Sequence, residues 1–216
     1  MRDLKLLNND VILFQGDSIT HGGRCTNEDL NHVMGHGYQA IVGAKLCADN
    51  LDKNIKVFNR GISGNRIADL YGRWVEDTLL LKPTILSILV GVNDAGFAYR
   101  KNLGMNTHRY EKIYRLMLDE AREQNPDMRL ILMEPFKGEI EEDEKRDFIL
   151  GYIKSLQDIV KKLSKEYDAV FVPLQDMFDT YAKKVPYKEL IWDGTHPTIV
   201  GHELIARQWL RAIKEF

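Results

Sequence analysis

Residues 14–23 read FQGDSITHGG. The apolar run from Val11 to Phe14 stops at Gly16-Asp17-Ser18, and a glycine-rich turn follows. Ser18 in such a turn is a candidate nucleophile, part of a phosphate cradle, or a plain helix cap. A serine hydroxyl is a poor nucleophile at neutral pH unless a base takes its proton. His196, in WDGTHPTIVGH, is the best base in the chain. Asp193 lies three residues before it and Pro197 directly after it. Proline favours the first position of a helix, which predicts His196 near the N-cap of the final helix. The helix dipole there disfavours an imidazolium, and Asp193 on the same turn can hold the Nδ1 proton and offset that dipole. Acyl transfer also needs donors for an oxyanion. Ser18 offers its own N–H, Gly64 in NRGISGNR a backbone that a substrate can approach, and Asn93 in GVNDAG a side-chain N–H.

These residues need elements to bring them together. Short apolar runs rich in β-branched residues predict strands at 10–15, 55–59, 84–90, 128–134 and 168–173. Several are too continuous to be half-exposed, as in a buried parallel sheet. Between them lie helical stripes, one from Tyr110 to Ala121 and one from Phe148 to Leu163. A third holds Ile199, Val200, Leu204, Ile205, Trp209, Leu210 and Ile213. Alternating strands and helices predict a doubly wound three-layer α/β/α sandwich, with ligands outside the carboxyl ends of the strands. Ser18, the Gly64 segment and Asn93 each follow a predicted strand, and the His196 segment follows the last one beyond a short helix.

Composition bounds the rest. The chain has 216 residues, 44% hydrophobic and 29% charged, with 30 basic and 32 acidic side chains. That balance suits one globular domain over 1–216 and gives no basic surface for nucleic acid or an anionic membrane. Cys25 and Cys47 make no disulfide framework and read as reduced thiols. The N-terminal residues show no secretory pattern, and the longest apolar run is far too short to span a bilayer. The expected location is the cytoplasm.

Four blocks, GDSIT at 16–20, GISGN at 61–65, GVND at 91–94 and DGTHP at 193–197, resemble those of the SGNH (GDSL-type) hydrolases. They occur in the family's order and run through nearly the whole chain. The resemblance implies a flavodoxin-like five-stranded parallel sheet and a serine esterase with no cofactor or metal. It implies Ser18 as nucleophile, Asp193 and His196 as its partners, and Ser18, Gly64 and Asn93 as oxyanion donors. Further stretches, GHGYQAIV, RLILMEPF and the tail from Trp192, are similar to the intracellular xylan and oligosaccharide acetylesterases. That branch implies acetylated xylo-oligosaccharides as substrates and members that are often homo-oligomers. His21 departs from the pattern, since many relatives carry Asp there, and it bears on specificity for the sugar side.

Plainer roles stand beside these. Asp17 reads as an Asx-turn residue and Asp94 as a structural neighbour of Asn93. Tyr187 and Trp192 are candidates to line the sugar or acyl pocket, or simply to pack. Trp74 and Trp209 sit in helical stripes and belong in the core. His202 reads as a packed or surface histidine pointing away from the site. His32, His36 and His108 show no carboxylate at useful spacing and no metal signature. The mixed run 139–147 reads as a solvated helix start. GDSITHGGR lacks the Lys-Ser/Thr of a phosphate loop, so nucleotide binding is a poor rival. Two rivals remain: a lysophospholipase or acyl thioesterase, which would need a long apolar channel, and an inactive sugar-binding protein.

Overall fold

The structure, a computed structural model, describes residues 5–27, 29–104 and 106–213. The elements run β1 (Val11–Gly16), α1 (Ser18–His21), α2 (Tyr38–Asp49), β2 (Lys56–Asn59), α3 (Ile67–Tyr71), α4 (Trp74–Asp77) and β3 (Ile85–Leu89). They continue with α5 (Val92–Arg100), α6 (His108–Gln124), β4 (Arg129–Met133), α7 (Asp143–Glu166), β5 (Val170–Val172), α8 (Gln175–Tyr181) and α9 (Ile199–Ala212). All five predicted strands are present: β1 is displaced by one residue, and the other four are one to three residues shorter than the apolar runs.

Among the described residues they form one five-stranded sheet in the order β2-β1-β3-β4-β5, parallel throughout. This is the flavodoxin-like order, whose strand connections diverge between β1 and β3. Helices α2 and α9 pack together on one face, and α7 lies against β4 and β5 beside α5 and α6 on the other. Every residue of β3 is buried, which explains its unbroken apolar run. Its one polar member, Ser87, accepts a hydrogen bond from Trp209 Nε1 at 3.0 Å and donates to Met133 Sδ at 3.4 Å, so the central strand carries no orphaned hydroxyl.

The helical stripes lie as predicted for α6 and α7, with Tyr110, Tyr114, Met117, Leu118 and Ala121 buried on one and Ile149 to Leu163 on the other. Each fully buried Leu, Ile or Met contributes about 1.5–3 kcal/mol. Trp74 and Trp209 are core residues. Two expectations need correction. Ile199 and Val200 are exposed, because the first turn of α9 packs through Gly201 and His202 instead. The run 139–147 is not helical from its start. The helix begins at Asp143, while 139–142 form a loop that buries Ile140, and just before it Gly138 N donates to Gly194 O at 2.8 Å. No helix among the described residues is long and apolar enough to cross a membrane.

Candidate active site

Ser18 is the first residue of α1, directly beyond the end of β1. The turn is tight enough that Gly16 has no room for a side chain: a Cβ there would collide with Thr20 Oγ1 and Leu89 O. Asp17 caps the helix, its Oδ1 accepting from Ile19 N at 3.0 Å, which is the expected Asx-turn role. Its Oδ2 is buried without a partner. Burial pushes the Asp17 carboxyl up to about 7, opposed by the Ile19 N–H and by His196.

A carboxyl whose pKa is raised by folding ionises more readily in the unfolded chain. Its contribution to stability is therefore greatest at acid pH and shrinks as pH rises from about 4, the ordinary carboxylate value, to the folded value. Asp17→Asn keeps an oxygen for Ile19 and abolishes that dependence. The melting temperature of the variant relative to the parent should rise by roughly 5 °C between about pH 5 and about pH 8. A difference that does not change with pH would contradict this account.

The histidine reaches Ser18 from the opposite end of the chain. Ser18 Oγ lies 2.9 Å from His196 Nε2, and His196 Nδ1 lies 2.7 Å from Asp193 Oδ2. Asp193 Oδ1 also accepts from His196 N at 2.7 Å and Thr195 N at 2.9 Å, so one carboxylate holds both the ring and the backbone of the loop. Partial burial raises the Asp193 pKa, but these hydrogen bonds outweigh it and hold the carboxyl below its ordinary value. His196 lies near the N-cap of α9, as predicted, but Pro197 is not the first helical residue. The N-cap of α9 is Thr198, whose Oγ1 accepts from Gly201 N at 3.2 Å, so Pro197 and His196 lie outside the helix. Orientation therefore comes from the Asp193 clamp rather than from the helix terminus.

Gly64 occupies the turn Ile62–Asn65, closed by Asn65 N donating to Ile62 O at 3.2 Å, with φ of 82°. That backbone conformation strongly favours glycine. Asn93 follows β3, and its Nδ2 donates to Asn65 O at 3.1 Å, tying the end of β3 to the Gly64 turn. The N–H groups of Ser18 and Gly64 and the second N–H of Asn93 have no acceptor among the described residues. Asp94 accepts from Ile67 N at 3.1 Å at the start of α3, a structural role as expected.

The other predicted residues surround this group. His21 lines a pocket of about 310 Å³ with Ser18 and His196. Its Nδ1 accepts from Gly23 N at 3.1 Å, and partial burial, then Arg24 and His36, lower its pKa. Trp192 is exposed, and its ring stacks on that of His196 with centroids 6.3 Å apart. Tyr187 lines a second cleft of about 800 Å³ that Trp192, Asn93 and Asp193 share. Its hydroxyl donates to Asp179 Oδ1 at 2.9 Å.

Several supporting residues escaped the sequence. Asn59, buried at the end of β2, donates from Nδ2 to Thr20 O at 2.8 Å and Met34 O at 2.9 Å and accepts from Gly61 N at 2.9 Å. It fastens α1 to the segment that carries Gly64. Arg73 Nε donates to Asn65 Oδ1 at 2.8 Å on the same segment. Lys137 Nζ donates to Thr195 Oγ1 at 2.5 Å beside Asp193. Two histidines also depart from expectation. His32 does have a carboxylate partner, Asp29 Oδ2 at 2.6 Å, both side chains being solvent-accessible. His202 is buried and faces the Ser18 pocket rather than pointing away.

A hydroxyl, an imidazole and a carboxylate in hydrogen-bonded series, beside uncommitted N–H donors, form an arrangement suited to acyl transfer through a tetrahedral intermediate. The comparisons agree. Residues 14–204 match the GDSL-like lipase/acylhydrolase family. An acetylxylan esterase of Geobacillus stearothermophilus is 35% identical over 215 residues, 97% of this chain and 96% of the relative. The crystal structure of a catalytic mutant of an acetylxylan esterase from the same organism superposes with a TM-score of 0.86 at 33% identity, covering 99% of this chain and 98% of the other. A Parabacteroides merdae protein described as a GDSL-like lipase gives 0.90 at 34% identity, with 98% and 99% covered. With this family's sequence pattern, its fold and a Ser-His-Asp series at the carboxyl edge of the sheet, the chain belongs to the GDSL-like lipase/acylhydrolase family.

Proposed function

We propose that the protein hydrolyses O-acetyl esters of oligosaccharides, with acetylated xylo-oligosaccharides the leading class, through an acetyl-enzyme on Ser18. The protein is a carboxylic ester hydrolase. The observation that carries the reading is the series Ser18–His196–Asp193, at 2.9 and 2.7 Å, next to three uncommitted N–H donors. Ser18 Oγ attacks the acetyl carbon while its proton passes to His196 Nε2. The carbonyl oxygen takes up negative charge and is met by the N–H groups of Ser18, Gly64 and Asn93; removing one such donor typically costs about 100- to 1000-fold in rate. His196 then returns the proton to the sugar oxygen as the C–O bond breaks. Water, deprotonated by His196, attacks the acetyl-enzyme and releases acetate.

The similarity to an acetylxylan esterase over nearly the whole chain supports the acetyl and xylan parts of this reading. So do the two clefts that share Trp192, whose exposed ring offers a flat face for a sugar. A long-chain lipase or thioesterase would need an apolar channel at Ser18. The pocket there is small, about 310 Å³, and mixes His21, His36, Ser63 and His202 with Ile19, Trp192 and Pro197. We extend the reading to a cytoplasmic protein that leaves nucleic acid alone, supported by the free thiols of Cys25 and Cys47 and the near-balanced charge, and, on the resemblance to the acetylesterase branch alone, to an assembly of identical copies.

Acetate release from acetylated xylo-oligosaccharides, run beside p-nitrophenyl acetate and a long-chain p-nitrophenyl ester, tests the proposal. Release from the sugar should exceed turnover of the long-chain ester by at least about 100-fold in kcat/KM, a discrimination within the range that even one pocket methylene supplies. Preference for the long chain would overturn it in favour of the lipase reading.

A further inference from the structure

His202 sits on α9 six residues beyond His196, yet both line the pocket beside Ser18. Only 5% of His202 is exposed. Its Nδ1 accepts from Tyr38 N at 3.2 Å. Tyr38 is the first residue of α2, so its N–H has no partner within the helix. The imidazole of one helix therefore caps another.

This contact fixes the protonation pattern. An Nδ1 that accepts from a backbone N–H carries no proton, so the proton of the neutral ring is on Nε2. Burial holds the ring neutral by pushing its pKa down to about 4, with the charges of His36 and His196 acting the same way. The ring of His36 stands edge-on to it at 6.3 Å. Nε2 has no acceptor among the described residues, and it is absent from the buried atoms that lack partners, so it keeps access to the pocket. The result is a rigid donor with one orientation and one charge state.

The pocket's place in the reaction says what meets that donor. The oxygen that leaves with the sugar must lie within reach of His196 and be bonded to the carbon that Ser18 attacks. Ser18 and His196 both line this pocket, whereas neither lines the larger cleft that Asn93, Asp193 and Trp192 border. At about 310 Å³ it lies at the lower end of small-molecule sites, with room for a single sugar ring. An acetyl methyl has no use for a fixed N–H; a hydroxyl-bearing alcohol does.

We propose that this pocket holds the sugar ring that carries the scissile acetyl, and that His202 is a specificity-determining residue whose Nε2–H donates to an oxygen of that ring. The proposal rests on the acetylesterase reading above.

Its test uses the shape of asparagine. In His202→Asn the amide oxygen takes the place of Nδ1 and can still accept from Tyr38 N, while the Nε2 donor is gone. The readout is the ratio of kcat/KM for an acetylated xylo-oligosaccharide to that for p-nitrophenyl acetate, whose leaving group has no hydroxyl. Loss of one hydrogen bond should lower this ratio roughly tenfold. His202→Gln, whose amide nitrogen reaches the Nε2 position, should recover part of it. A ratio equal to the parent's in His202→Asn, whether the two activities fall together or not at all, would overturn the proposal and leave His202 as a helix cap. Should His202→Asn not fold, His202→Leu, which fills the site but donates nothing, takes its place: a ratio lowered more than about threefold supports the donor, and a smaller change overturns it. Should the parent release no acetate from any sugar, the acetylesterase reading itself has failed, a result visible before any variant is made.

Discussion

Ser18→Ala is expected to lower kcat by roughly 10⁴- to 10⁶-fold with little change in melting temperature. The Oγ of Ser18 has one contact among the described residues, His196 Nε2, so removing it breaks nothing that holds α1 in place. Alanine suits a helix position, and Asp17 still caps the turn through Ile19 N. What is lost is the covalent step. The N–H donors and the pocket remain, so KM for a short ester should change little and a slow residual hydrolysis should survive, as it does in other triad enzymes stripped of their nucleophile. A serine-directed fluorophosphonate gives an independent readout. The parent should gain one adduct by intact mass and Ser18→Ala none. Labelling of the variant, or activity within tenfold of the parent, would remove Ser18 from the mechanism. Failure of the parent to label would instead favour an inactive sugar-binding protein on the same fold.

The sequence carried the sheet and the reacting groups because both leave local signals. A buried parallel strand is a run of apolar residues, as at Ile85–Leu89, and the four blocks at the strand ends hold Ser18, Gly64, Asn93, Asp193 and His196. The supports were not legible. Asn59, Arg73 and Lys137 act through polar contacts to backbone or side chains of other segments, and such contacts have no period. The segment 139–142 has helix-favouring composition, but the bond between Gly138 and Gly194 and the burial of Ile140 draw it against the Asp193 loop, where tertiary packing overrides propensity. His202 is the instructive miss. It shares a helical face with Ile205 and Trp209, so a polar residue on a buried stripe was there to be questioned. Its partner, Tyr38 N, is a backbone group of another helix, and no side-chain pattern points to it.

Asp193→Asn should cost about 10⁴-fold in kcat, for a reason different from that at Ser18. The carboxylate does two things: Oδ1 holds the backbone of Thr195 and His196, and Oδ2 takes the Nδ1 proton of the ring. Its pKa is lowered in the folded state, so the stability it lends is present above the unfolded carboxylate value, about 3.9, and lost only as pH falls through the lower folded one. At neutral pH the carboxylate is ionised, Nδ1 keeps its proton, and Nε2 presents a lone pair to Ser18. In the asparagine variant the amide oxygen can replace Oδ1, so the loop should hold and the melting temperature should fall by no more than about 3 °C. The amide nitrogen then faces Nδ1 and donates to it. That contact selects the tautomer with the proton on Nε2, which cannot accept the proton of Ser18. Asp193→Ala removes the clamp as well, so it should match the asparagine variant in kcat but melt lower. Imidazole ¹⁵N shifts of His196 would report the tautomer directly. An asparagine variant with the parental tautomer and more than a tenth of the parental kcat would show that Asp193 only anchors the loop, and that proton transfer from Ser18 does not depend on it.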